Sequence, residues 1–197
     1  MILDNVTKFP IVIIAPPRSG SSVICSQIGL DLNIKYFNDV TYSTDKNEMS
    51  NFLEFIDKTD QYVVKFHAFD INKYPKRLID RIFQNETYNV KVVRGNLPLH
   101  VASIYTARKR NLYHYDHVNL DYYRSPIEID RLYIAKCISV VKGNIKELEH
   151  IPVEFDKTII YEDYNYRDDV IIKTPLPSNY EELLEEIKKE LACQKEF

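Results

Sequence analysis

The chain contains no tryptophan, only three cysteines, no long apolar run and no excess of positive charge. Each shortage excludes something. Cys25, Cys137 and Cys193 lie far apart, are odd in number and show no C-x-x-C spacing. That argues against a disulfide framework or a zinc site, and for a reducing compartment. No stretch approaches the roughly 18 apolar residues a membrane span needs. The opening "MILDNVTKFP" lacks the basic start and apolar core of a signal peptide. The expectation is a soluble, cytoplasmic protein without a membrane partner. Twenty-six basic against 29 acidic residues leave a net charge of −3, which speaks against a nucleic-acid partner. No internal repeat or low-complexity linker is visible. The aromatic usage is skewed to 15 tyrosines, and the skew names no function.

What is present is an alternation of strand and helix patterns. With 197 residues and 45% hydrophobic content, the chain suits one domain, residues 1–197, with a real core. The apolar β-branched run Ile11–Ala15 predicts a buried strand. Further strands are expected at Lys35–Phe37, Gln61–Phe66, Tyr88–Val93 and Lys157–Tyr161. Helices are expected at Ser21–Leu30, Asn47–Asp57, Pro75–Gln84, Pro98–Lys109, Pro126–Leu148 and Tyr180–Leu191. The long fifth helix carries Ile127, Ile134, Cys137, Ile138, Val141, Ile145 and Leu148 on one side. Such alternation predicts an α/β fold: a central parallel sheet flanked by helices in three layers. Ligands of such sheets sit at the carboxyl ends of the strands. The loops after Ala15, Phe66, Val93 and Tyr161 are therefore the places to look for chemistry.

The first of these loops reads "APPRSGSS", Ala15–Ser22. It has the eight-residue span of the nucleotide P-loop, G-x-x-x-x-G-K-[ST]. Gly20 matches the second glycine and Ser22 the final hydroxyl. Ala15 replaces the first glycine, and Ser21 replaces the lysine. Backbone N–H groups at a helix start favour an anion, and Gly20 permits close approach. Ser19, Ser21 and Ser22 add hydroxyls, and Arg18 places a cation inside the loop. The site suits a phosphate-like group but lacks the lysine of Mg-NTP hydrolysis. A plain Pro-Gly turn with a serine cap is the bland alternative.

"PRSGSS" after a buried strand resembles the 5′-phosphosulfate loop of sulfotransferases, enzymes that use 3′-phosphoadenosine 5′-phosphosulfate (PAPS). "PRSGSSVICSQI" is similar to the opening of the trehalose-type bacterial members, which carry a P-R-S-G-S-T run. The resemblance implies a P-loop NTPase-like sulfotransferase fold, PAPS as donor, 3′,5′-diphosphoadenosine (PAP) as product, and no metal. It extends to "VVRGNLPLHVASIY", where Arg94 ends a strand and Ser103 follows nine residues on. In the family these positions hold the 3′-phosphate, by a charge-assisted fork and a neutral donor. Gly95 stands where the trehalose type often has a second arginine. Ala107 and Tyr113–His114 fall at family-like offsets.

"VVKFHAFD" resembles the K-T-H loop of the cytosolic type, which makes Lys65 a positioner of the sulfonate and His67 the base that takes the acceptor's proton. The trehalose type uses a glutamate soon after the first helix; here Asp39 is nearest that place and Glu48 more distant. The base is thus His67 or Asp39. "IIYEDY" resembles the family's Y-E-D-L segment. It places Tyr161 near the adenine and gives Glu162 and Asp163 structural work, capping or pairing with an arginine. The family's C-terminal R-K-G clamp is missing, and Arg108, Lys109 and Arg110 are the candidate replacements. Asn111–Arg124 suits an acceptor lid, and His114 with His117 is too little for a metal site. The acceptor implied is a small molecule or glycan bearing a hydroxyl or amine. A nucleotide kinase or NTPase, and an inactive nucleotide-binding relative, are the alternatives.

Overall fold

Five consecutive apolar residues, three of them isoleucine and one valine, suit a short strand covered on both faces. Ile11–Ala15 is that strand, β1, with every residue fully buried. This holds in a computed structural model that describes residues 2–3, 6–38, 46–74, 76–83, 86–111, 120–167 and 176–194, without the side chains of 46–49 and 120. The remaining strands are β2 (Lys35–Phe37), β3 (Tyr62–His67), β4 (Tyr88–Val93) and β5 (Lys157–Ile160). They pair in the order β2-β3-β1-β4-β5, and every pairing is parallel. The helices are α1 (Ser21–Leu32), α2 (Lys46–Ile56), α3 (Lys76–Ile82), α4 (Leu97–Lys109), α5 (Leu120–Arg124), α6 (Arg131–Glu149) and α7 (Tyr180–Cys193). The α/β class and the parallel sheet flanked by helices are as the sequence predicts.

The chain forms two compact units: Met1–Gly95 with Lys146–Ile171, and Asn96–Ile145 with Ile172–Phe197. The first unit holds the sheet. The two-residue period of β1 sends Val12 and Ile14 to one face, where they meet Val64 and Phe66 of β3, Phe52 and Ile56 of α2, and Leu78 and Ile82 of α3. Ile11, Ile13 and Ala15 face the other way, onto Ile24, Cys25 and Ile28 of α1. Each large aliphatic side chain buried this way contributes about 1.5–3 kcal/mol.

In the second unit, Val101, Ile104 and Tyr105 of α4 pack with Ile134, Cys137, Ile138 and Val141 of α6 and Leu183, Ile187 and Leu191 of α7. The stripe predicted for the long helix is its buried face, but its start is corrected. The helix begins at Arg131, not Pro126. Asp130 Oδ1 accepts the Tyr133 N–H at 3.1 Å and caps it. The Ile127 N–H and C=O are both taken by the Asn179 side chain, at 3.0 and 2.8 Å, which draws them out of any helix. Among the described residues, no helix is long and apolar enough to cross a membrane.

Register places the functional loops. Ala15 pairs with His67, so β1 and β3 end level. β4 continues beyond its last pair with β1, Ile14 with Lys91, to end at Val93 opposite Ile160. From β1 the chain passes to β2 and β3 on one side; from β4 it passes to β5 on the other. The carboxyl ends of β1 and β4 are therefore the topological switch point, where open parallel sheets bind ligands.

Candidate functional site

The loop after β1 turns sharply. Arg18 adopts left-handed backbone angles (φ 61°), and Gly20, the N-cap of α1, does so again (φ 85°). For a non-glycine residue that conformation costs about 1–2 kcal/mol, so the loop spends stability on its shape. Gly20 is needed on two counts. A Cβ there would lie 2.0 Å from Tyr161 Cδ2 and carry the left-handed strain as well. Gly20 has no capping side chain to offer, so no side chain of the cap competes for the amides opening α1.

Ser19 is completely buried, and its Oγ has no hydrogen-bond partner among the described residues. A buried hydroxyl in that state costs folding free energy. Ser21 is buried beside it, and Ser22 is half-buried. From β3, Lys65 reaches the same loop: it is 2% exposed and donates to Ser22 Oγ at 2.9 Å. A buried ammonium bonded to Ser22, in the first turn of α1, adds positive charge to a helix N-terminus and favours an anion there.

His67, level with Ala15, is half-buried at the end of β3. Its ring lies parallel to that of Phe69, with centroids 5.7 Å apart and planes within 4°. Phe69 is partly exposed, and Lys73 Nζ sits over it at 4.8 Å. Asp39, the other candidate base, lies outside the described residues, as do the Glu48 side chain, Tyr113–His114 and most of the expected lid.

Past β4, the Arg94 guanidinium lies over the Tyr161 ring, 5.2 Å from its centroid. Tyr161 stacks on Tyr166 at 4.9 Å, and the Tyr166 hydroxyl donates to the Tyr161 carbonyl at 2.7 Å. Burial, then the neighbouring Tyr161, pushes the Tyr166 phenol well above its ordinary range, so it stays a neutral donor. Glu162 accepts the Gly95 N–H at 2.9 Å and faces Arg94 Nε at 3.5 Å. The pairing of this acid with an arginine is as expected from sequence.

Within the first unit, then, the structure gathers Gly20, Tyr161, Arg94 and Glu162 at the switch point, and Ser22 with Lys65 in the adjoining loop. Ser103 is half-buried on α4, in the second unit. There, Arg110 is buried and bonds the carbonyls of Tyr123 and Ser125, and Lys109 pairs with Glu128 at 3.2 Å. Arg110 thus has internal structural work. Two members of the arrangement escaped sequence reasoning: Tyr166, beneath Tyr161, and Phe69, beside His67. Only the bare aromatic spacing could have hinted at either. The described residues hold no cluster of three or more metal-ligating side chains. No family model matches the chain, and no curated protein does either.

Proposed function

We propose that the chain is a PAPS-dependent sulfotransferase acting on the hydroxyl or amine of a small-molecule or glycan acceptor. One observation carries the reading: the Ser19 hydroxyl, fully buried and without a hydrogen-bond partner among the described residues, in a left-handed loop at the start of α1. A donor held out of water without a partner suits a ligand that brings acceptor-only oxygens, as a phosphosulfate does. The strand order and the helices on both sheet faces support a three-layer P-loop NTPase-like fold.

Bound PAPS would supply an activated sulfuryl group, with PAP as the leaving product. Arg18, Ser19, Gly20, Ser21 and Ser22 hold the 5′ end of the donor with amides and hydroxyls. The Arg18 cation, with Lys65 already beside Ser22, opposes the negative charge that grows on the bridging oxygen, electrostatic preorganisation aimed at the transition state. Arg94 receives the 3′-phosphate, and Tyr161 borders the adenine. His67, with Asp39 as the alternative, takes the acceptor's proton as the nucleophile attacks.

The same geometry weighs against Mg-NTP chemistry. In a P-loop the final hydroxyl ligates Mg²⁺. Here that hydroxyl, on Ser22, accepts from a lysine ammonium, whose charge repels a divalent cation. Titration calorimetry of the full chain with PAP and with Mg-ATP separates the two readings. PAP binding without Mg-ATP binding is expected, followed by transfer of ³⁵S-sulfate from PAPS to a hydroxylated acceptor. Tight Mg-ATP binding without PAP binding would overturn the proposal. PAP binding with no transfer across a broad acceptor library would indicate an inactive relative.

A further inference from the structure

We infer that Glu162 is a positioning residue for the donor: its carboxylate fixes Arg94 and the Gly95 amide in the orientation that receives an anionic phosphate. The inference rests on the sulfotransferase reading above.

Glu162 stands on the 3-10 turn Tyr161–Asp163 that follows β5, and it reaches back to the exit of the neighbouring strand β4. Its two oxygens divide the work. Oε2 accepts the Gly95 N–H at 2.9 Å, and Oε1 faces Arg94 Nε at 3.5 Å. One side chain therefore straddles two consecutive residues of the switch-point loop. The contact at Nε, the nitrogen nearest the stem, is an ion pair without hydrogen-bond geometry, and it biases the direction in which the terminal guanidinium nitrogens point. The Tyr161 ring, 5.2 Å from Arg94 Cζ, supports the flat face. An arginine held by an ion pair at Nε and a ring against the guanidinium has given up part of its rotamer freedom on folding, so a ligand has less of it to remove.

Position 95 allows the arrangement. A Cβ at Gly95 would lie 3.0 Å from Ile160 Cγ2 and 3.8 Å from Glu162 Oε2. A larger residue would press on the β5 side of the site. The glycine thus lets the two turns close on one another, and the acid takes up the amide it leaves exposed.

A carboxylate beside a phosphate-binding arginine has two opposing effects. It orients the cation, and it cancels part of the attraction for an anion. Arg94 and Glu162 side chains are 18% and 28% exposed. Solvent therefore weakens the charge term, while the orientation persists. Where orientation outweighs cancellation, removing the carboxylate weakens PAP binding, and that is the sign the inference requires.

The test is calorimetric titration of the full chain with PAP, for wild type, Glu162→Ala and Glu162→Gln, with ligand-free melting temperatures alongside. The expected result is a Kd about 5- to 10-fold weaker for Glu162→Ala. Glu162→Gln, which keeps an acceptor for the Gly95 amide, should fall between that and wild type. In steady state the loss should appear in KM for PAPS, with kcat within about twofold. If either variant binds PAP as tightly as wild type or more tightly, the carboxylate is a competitor and the inference fails. A fall in kcat and melting temperature with KM unchanged would make Glu162 structural and overturn it too. If Glu162→Ala does not fold, Glu162→Gln decides. Should wild type itself bind no PAP, the donor assignment falls first and this role with it.

Discussion

Ser19→Ala is expected to make the free protein more stable and the liganded protein less so. The Ser19 hydroxyl is fully buried and has no hydrogen-bond partner among the described residues, a condition that costs about 1–3 kcal/mol. Removing one oxygen forfeits little packing, so a net gain of about 1 kcal/mol is expected. For a chain of 197 residues that raises Tm by about 2–4 °C. With PAP the sign reverses. A hydrogen bond to a charged group contributes about 1.5–3 kcal/mol, so losing it weakens Kd by roughly 10- to 100-fold. At PAP near 1,000 times the wild-type Kd, wild type gains about 4.1 kcal/mol, whereas a variant with tenfold weaker binding gains about 2.7. The shortfall of about 1.4 kcal/mol exceeds the gain of about 1. The two melting curves therefore exchange order as PAP is added. Differential scanning fluorimetry across a PAP series reads this directly. A Ser19→Ala protein that melts lower than wild type without ligand, with PAP affinity intact, would refute the idea that the hydroxyl is held in reserve for an anion.

Gly20→Ala should cost at least about 1–2 kcal/mol from the left-handed backbone alone, with more from displacing Tyr161, and urea unfolding would report it. Lys65→Met should leave the urea midpoint near that of wild type and lower kcat by about 10²–10³-fold, on the precedent of removing one preorganised electrostatic donor; an unchanged kcat in sulfate transfer would refute its role. His67→Gln should lower kcat by about 10²–10⁴-fold, and a variant near full activity would shift the base to Asp39. Asp156→Asn tests the β4–β5 seam. Burial raises the Asp156 carboxyl, but the Asn89 N–H and Lys8 outweigh it and hold the pKa below its ordinary value. The stabilisation is present above the unfolded carboxyl pKa of about 3.9 and lost as pH falls through the lower folded value. The variant should therefore be about 1 kcal/mol less stable near neutrality, with the gap closing in acid; a gap constant down to pH 2 would contradict this.

The core strands were legible because their chemistry is local. Ile11–Ala15 and Tyr88–Val93 announce themselves as apolar or alternating runs, and both are found where expected. The second long strand is offset by one residue, Tyr62–His67 against Gln61–Phe66, since pairing of His67 with Ala15 is a property of the sheet. The start of α6 was misjudged for a similar reason. Asn179, which draws Ile127 away, lies 52 positions along the chain, beyond any window of periodicity. At the site, the need for Gly20 and the pairing of Glu162 with an arginine were readable from residue type and order, whereas the left-handed backbone of Arg18 was not. The Tyr161 ring against Gly20, and Tyr166 beneath it, were not. They are contacts between distant segments that leave no pattern in either.

The ring of Tyr161 against Gly20 has a practical use. Because the chain has no tryptophan, an indole placed at 161 by Tyr161→Trp would be its sole long-wavelength emitter. Its emission would come from beside the loop at the start of α1 and within reach of the Arg94 charge. Filling or emptying of that loop could then be followed optically, in real time, without a label and without knowing the acceptor.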